Sequence, residues 1–226
     1  MEKNNDIQIR QIAEDIINLS RNTLILNLRF LDRAIGSLKT AEGEVFSTDG
    51  QSIYFNSLDV LLSYKENRCK VTRNFLHAIL HCVLRHLFVS GKVDKNLWNV
   101  ACDIAVEAAI NGMDLNCVKL PKEKEQEKII SKLKDEIKFI TAEKIYHYYK
   151  TKNISQNEIQ YINSIFKADE HDNWYSDDID EDESVKDQQE SDDLDIESYK
   201  EKESDGSENE DSDLGSEKDK DQGEEI

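Results

Sequence analysis

Apolar residues recur at helical spacing along most of this chain. Ile7, Ile9, Ile12, Ile16, Ile17 and Leu19 predict one helix, and Leu24, Leu26, Leu28, Leu31 and Ile35 predict a second over 23–38. The pattern then changes. Between Glu44 and Asn56, short β-prone runs flank Asp49-Gly50, which predicts a hairpin because glycine accepts a positive φ. Helical spacing returns over 58–65, over a long apolar stretch at 72–89, and over 96–110, where Asn111-Gly112 is a stop signal. Pro121 opens a charged helix reaching about residue 139, and Thr141 caps a helix through Tyr149. Ser155 and Glu158 match a capping box ahead of Ile159, Ile162 and Ile165. The expected fold is α+β: mostly helical, with one small antiparallel hairpin or sheet and no internal repeat.

From residue 176 the apolar pattern stops. Residues 176–226 hold 24 Asp and Glu against 5 Lys, with Tyr199 the one aromatic. Such a segment has too little apolar area to offset the entropy of ordering, so it reads as a disordered acidic tail. The expected organisation is a folded domain at 1–175 and a tail at 176–226. The whole net charge of -19 therefore belongs to the tail, and the remaining residues carry 24 acids and 24 bases. A neutral body with an acidic tail argues against nucleic acid as a partner, since phosphate binding wants a basic surface. The longest apolar stretch, Phe75 to Val89, is interrupted by three His and an Arg, so no membrane span is expected. Cys69, Cys82, Cys102 and Cys117 show no C-x-x-C spacing, and the N-terminus has no signal-peptide pattern. These features point to a reduced, cytoplasmic protein.

Candidate chemistry concentrates on the 72–89 helix. His77 and His81 are four residues apart, so both imidazoles face one way and can reach a single metal ion. In the H-E-x-x-H pattern of zinc peptidases, a glutamate follows the first histidine as general base; here that residue is Ala78. His86 stands nine residues after His77, about 180° away on an unbroken helix. It reaches the metal only if the helix ends near Leu84–Arg85; otherwise it is a helix-end residue interacting with the last carbonyls. On the next helix, Asp103 and Glu107 again share one face. Asp103 lies in an apolar stretch where an unpaired carboxylate would be costly, so it reads as a third ligand, or as an acceptor for Arg73 or a core histidine. Just before the tail, His171 precedes Trp174, a large aromatic that suits a segment docked back on the domain. His171 is then a candidate ligand or proton donor, or else a surface residue. His147, between Tyr146 and Tyr148, reads as packing or surface.

Several segments together resemble a bacterial family of metallopeptidase-like domains, usually found ahead of a von Willebrand factor A-like domain. They are Leu28-Arg29-Phe30-Leu31, Thr48-Asp49-Gly50 with Tyr54-Phe55-Asn56, Arg73 to His77, His81 to His86, Trp98 to Val106, and His171-Asp172-Asn173-Trp174. The similarity runs from about Ile7 to Tyr175. It implies a zincin-like domain with the fuller motif H-E-x-x-H-x-x-x-x-H, matched at His77, His81 and His86, and an acidic position on the following helix, matched at Asp103. Ala78 departs from the motif and removes the group that would activate water. An acidic tail follows where the family places its second domain. By analogy alone, the family suggests work beside AAA-type ATPases or von Willebrand factor A-like proteins.

Three functions follow. In the first, a zinc-dependent peptidase acts on a protein or peptide, with His77, His81 and Asp103 (and His86 as substitute) holding zinc, and Glu107 or His171 replacing the missing base. In the second, the same scaffold is a non-catalytic zinc-binding module that recruits a protein partner. In the third, the histidines are packed core residues and no metal binds.

Overall fold

Helix α1, Glu2–Asn27, is unbroken where two helices were expected. The polar run Ser20-Arg21-Asn22 reads as an interruption in one dimension. In three dimensions Ser20 is buried and accepts a hydrogen bond from Thr72 Oγ1 (3.2 Å), so the helix continues through it. The break comes later, at Leu28 (φ -128°, ψ 62°), and is followed by a single 3-10 turn and the short helix α2, Asp32–Ser37. This computed structural model describes residues 2–89 and 93–179. The acidic tail expected from 176 onward lies, beyond 179, outside the described residues.

A three-stranded sheet follows, in the order β1-β3-β2: β1 is Lys39–Glu42, β2 is Ser47–Thr48 and β3 is Ser52–Phe55. The β2–β3 pair is the expected hairpin. Gly50 turns it at φ 85°, and Asp49 Oδ1 accepts from the N–H groups of Gln51 and Ser52. The strand β1 pairs parallel to β3, making the sheet mixed. Its sequence, Lys-Thr-Ala-Glu, carries no alternating apolar signal, so the pairing was not readable in advance.

Helices α3 (Ser57–Glu66), α4 (Arg68–Val83), α5 (Lys95–Met113), α6 (Glu123–Glu136), α7 (Ala142–Lys152) and α8 (Gln156–Phe166) complete the domain. Side-chain caps start most of them. Asn56, Asn67, Asp94, Thr141 and Ser155 each accept from a first-turn N–H, and Ser155 with Glu158 forms the full capping box. The final described element is a 3-10 segment, Asp172–Ile179. No helix among the described residues is long and apolar enough to cross a membrane.

Two apolar clusters make the core. One joins α1, α3 and α4 to the sheet through Ile17, Leu24, Phe75, Ile79 and Ile53. The other joins α6, α7 and α8 to α5 through Ile104, Ile130, Ile145 and Phe166. Helix α5 belongs to both, contributing Val106 and Ile110 to the first and Leu97 to Ala105 to the second. The α4–α5 contact therefore lies where the two clusters meet, and both helices are held on their outer sides.

Ile17→Ala removes a buried side chain of the first apolar cluster and is expected to cost about 2–5 kcal/mol. Ser155→Ala removes a cap and is expected to cost about 1 kcal/mol. Urea unfolding of each variant checks both values.

Candidate metal centre

Polar side chains at intervals of four build a ridge on each of the two central helices. On α4 they are Arg73, His77 and His81, each fully buried. On α5 they are Asn99, Asp103, Glu107 and Asn111. The ridges face each other. Arg73 places two guanidinium nitrogens on Glu107 (2.7 and 3.0 Å), and the terminal nitrogen among them also reaches Asn111 Oδ1 (2.5 Å). Its third nitrogen donates to the Val118 carbonyl and to Glu123. Every donor of this buried guanidinium is thus engaged, which is what makes burying it tolerable.

Glu107 passes this anchoring on to the histidine above it. Its Oε1 meets His77 Nδ1 at 2.8 Å, while Gln126 Nε2 donates to Oε2 at 2.6 Å. His77 Nε2 then points the other way, to Asp103 Oδ1 (3.2 Å) and His81 Nε2 (2.8 Å). His81 is oriented by a different partner, since its Nδ1 meets His86 Nδ1 at 3.0 Å.

His86 reaches that position because α4 ends where the sequence required it to. Leu84 closes the helix and Arg85 takes a left-handed conformation (φ 62°), reversing the chain into a 3-10 turn. Trp98 Nε1 donates to the His86 carbonyl at 3.2 Å and fixes the turn. His86 thus lies behind His81, on the nitrogen facing away from Asp103.

The segment after α8 supplies the remaining groups. His171 Nε2 is 3.3 Å from Asp103 Oδ1 and 3.0 Å from Asp169 Oδ1. Asp169 Oδ1 is 3.4 Å from His77 Nε2 and 3.9 Å from His81 Nε2. Trp174 stacks on the His171 ring (centroids 3.8 Å apart, planes at 23°) and lies 4.8 Å from the His81 ring. One ligand atom from each of His77, His81, Asp103, Asp169 and His171 falls within 4.8 Å of all the others. All five side chains are buried, His171 the most exposed at 5%.

This donor set fits a metal ion. Ligands at about 2.0–2.2 Å around a tetrahedral zinc stand roughly 3.3 Å apart. The separations begin at 2.8 Å, between His77 and His81, and stay within 4.8 Å across the set. Asp169 Oδ2 is buried and has no hydrogen-bond partner among the described residues, so one carboxylate oxygen at the cluster is left for a ligand.

The electrostatics follow from packing acids and imidazoles together out of water. Burial opposes ionisation of Asp103, but the His171 charge and the bonds from His171, His77 and His81 hold it well below the usual carboxylate range. Asp169 is lowered against the same burial penalty, chiefly by His171, and Glu107 chiefly by His77. Burial works against protonated His77, yet Asp103 and Glu107 raise it to about 9; burial works against His171, yet Asp103 and Asp169 raise it to about 10. Burial, with the neighbouring imidazoles, takes His81 down to about 4 and His86 to about 3.

Of the residues singled out in the sequence, His77, His81, Asp103 and His171 meet at one point. Glu107 and His86 stand behind His77 and His81 respectively, each on a ring Nδ1. Asp103 takes the histidines as partners, and Arg73 goes to Glu107. His147 is exposed. Asp169 escaped notice. Its signal was the spacing Asp169-x-His171, since residues two apart on an extended chain share a face.

Facing helices with an imidazole pair on one and a carboxylate on the other, closed by a third segment, form a buried nitrogen–oxygen cluster able to hold a metal ion in a helical domain. The model of the family described as "Putative metallopeptidase domain" matches residues 21–226, and the chain belongs to that family. No curated protein and no solved structure matches the chain.

A pH dependence follows for the metal-free protein. His81 and His86 are neutral when folded, so unfolding takes up protons below 6.5 and stability rises with pH up to that value. His77 and His171 hold protons when folded, so their contribution is complete below 6.5 and is lost as pH rises through about 9 to 10. Urea midpoints of chelator-treated protein should therefore peak near the ordinary histidine value. Added metal displaces the protons of His77 and His171 and should remove the alkaline decline.

Proposed function

We propose that this protein is a zinc-binding member of its family in which the chain's own side chains saturate the metal and peptide hydrolysis is lost. The observation that carries this reading is the convergence of five buried donors from three segments. Catalytic zinc sites keep a position open for water, whereas structural sites are closed by protein ligands. Three imidazoles with Asp103 and Asp169 favour zinc among the common metals, and two carboxylates balance its charge. When bound, the ion supplies a fixed positive charge and a cross-link between α4, α5 and the 167–175 segment. His77 and His81 present Nε2, Asp103 presents Oδ1, and Asp169 and His171 close the set. Glu107 and His86 hold the two helix histidines in orientation.

The candidate bases support the same reading. Ala78 has no group to offer. Both oxygens of Glu107 are held, by His77 on one side and by Arg73 and Gln126 on the other. His171 Nε2 faces two carboxylates. One feature favours hydrolysis as a second reading: a cleft of about 300 Å³ reaches Asp103 and His171 between α5 and α8. The role proposed here is that of a metal-organised module that recruits a protein or peptide partner. An AAA-type ATPase or a von Willebrand factor A-like protein is a partner by family analogy alone. A cytoplasmic setting suits the four free cysteines.

Elemental mass spectrometry of the purified protein is expected to find about one zinc per chain, lost in the His77→Ala/His81→Ala double variant. The zinc-loaded protein should cleave a fluorogenic peptide library no faster than that variant. Cleavage that depends on zinc would replace this reading with the hydrolytic one.

A further inference from the structure

The metal cluster divides into two unequal parts. His77, His81 and Asp103 stand on core helices, and Glu107, His86 and Arg73 hold them from behind. Asp169 and His171 instead come from the short non-helical stretch 167–171, which runs from the end of α8 into the 3-10 segment at Asp172. That stretch touches the edge strand β2 through one isolated β-bridge. Glu170 bridges Ser47 in parallel register, its N–H donates to the Phe46 carbonyl (2.8 Å), and Asn173 Nδ2 donates to Ser47 Oγ (3.2 Å). Alternation along the segment turns Asp169 and His171 inward and leaves Glu170 in an ion pair with Lys167 (2.6 Å) on the outer side. Clefts of about 260 and 520 Å³ open along it, the first reaching Asp169 and the second reaching Asp172 and Asn173.

We propose that residues 167–175 are a replaceable strap, and that the β2 edge with the metal face beneath it is a binding site for an extended peptide. Its ligand is a protein segment running parallel to β2 with two metal-binding side chains, Asp or His, two residues apart. Backbone pairing to an exposed edge gives such a site affinity, and the inward side chains give it specificity. The strap meets both requirements from within the chain and therefore acts as the site's own competitor. Displacing it leaves His77, His81 and Asp103 on the metal, a three-ligand set with room for an incoming donor. This inference rests on the zinc reading above.

The test uses full-length, zinc-loaded protein and a fluorescent peptide with the sequence of residues 167–175. An Asp169→Ala/His171→Ala double variant should keep its zinc and bind the peptide at least about tenfold more tightly than the wild type, because a tethered strap competes at high effective concentration. A peptide with alanine at both donor positions should not bind it. Trp174→Ala keeps all five donors but removes the ring stacked on His171. It should bind the peptide about threefold more tightly than the wild type, and it decides the matter alone if the double variant does not fold. Zinc-loaded variants that bind no better than the wild type overturn the proposal, as does loss of zinc from a folded double variant. A wild-type protein that holds no zinc overturns the metal reading first, which separates the two failures.

Discussion

Two carboxylates and three imidazoles are gathered out of water in this domain, and the surrounding architecture answers to their cost. An isolated buried charge would simply neutralise itself. Here Asp103 and Asp169 stay ionised because His171 and His77 hold protons against burial, and Glu107 stays ionised between His77 and Arg73. Each charge depends on the next. Arg73 depends in turn on Val118 and Glu123, outside the α4–α5 pair. A metal ion at the five donor atoms would take over the task of the two protonated imidazoles.

The fold serves this arrangement by placing the two polar ridges where its apolar clusters meet. Helices α4 and α5 are each packed into these clusters, which hold the two polar ridges against each other. Intervals of four residues keep the ridges straight along each helix. Orientation then passes in one direction, from Arg73 through Glu107 to His77 and from the His86 turn to His81. The third wall is built differently. It is a short non-helical segment held by a strand edge, a stacked indole and its own two donors, and this difference makes it the part of the centre suited to exchange.

Much of this was legible from residue order. The hairpin at Asp49-Gly50, the capping box at Ser155 and the helix pair carrying His77, His81 and Asp103 all depend on spacing within a dozen residues, and spacing is what periodicity reads. The continuous α1 was not legible, because the polar run at Ser20 looks like a break until Thr72 is placed beside it. Nor was β1, whose Lys-Thr-Ala-Glu sequence becomes a strand only through the partner offered by β3.

Residue order alone determined the chemical inventory: imidazoles and carboxylates at helical spacing, an alanine where a water-activating glutamate would stand, and an acidic C-terminal segment. Tertiary structure decided which of those groups share a point in space. It put Glu107 and His86 behind the histidines and brought Asp169 in beside His171, from a segment more than sixty residues beyond Asp103. The physical reason is that a helix specifies direction only around its own axis. Which nitrogen of an imidazole faces a neighbour, and which distant carboxylate meets it there, depends on how separate elements pack.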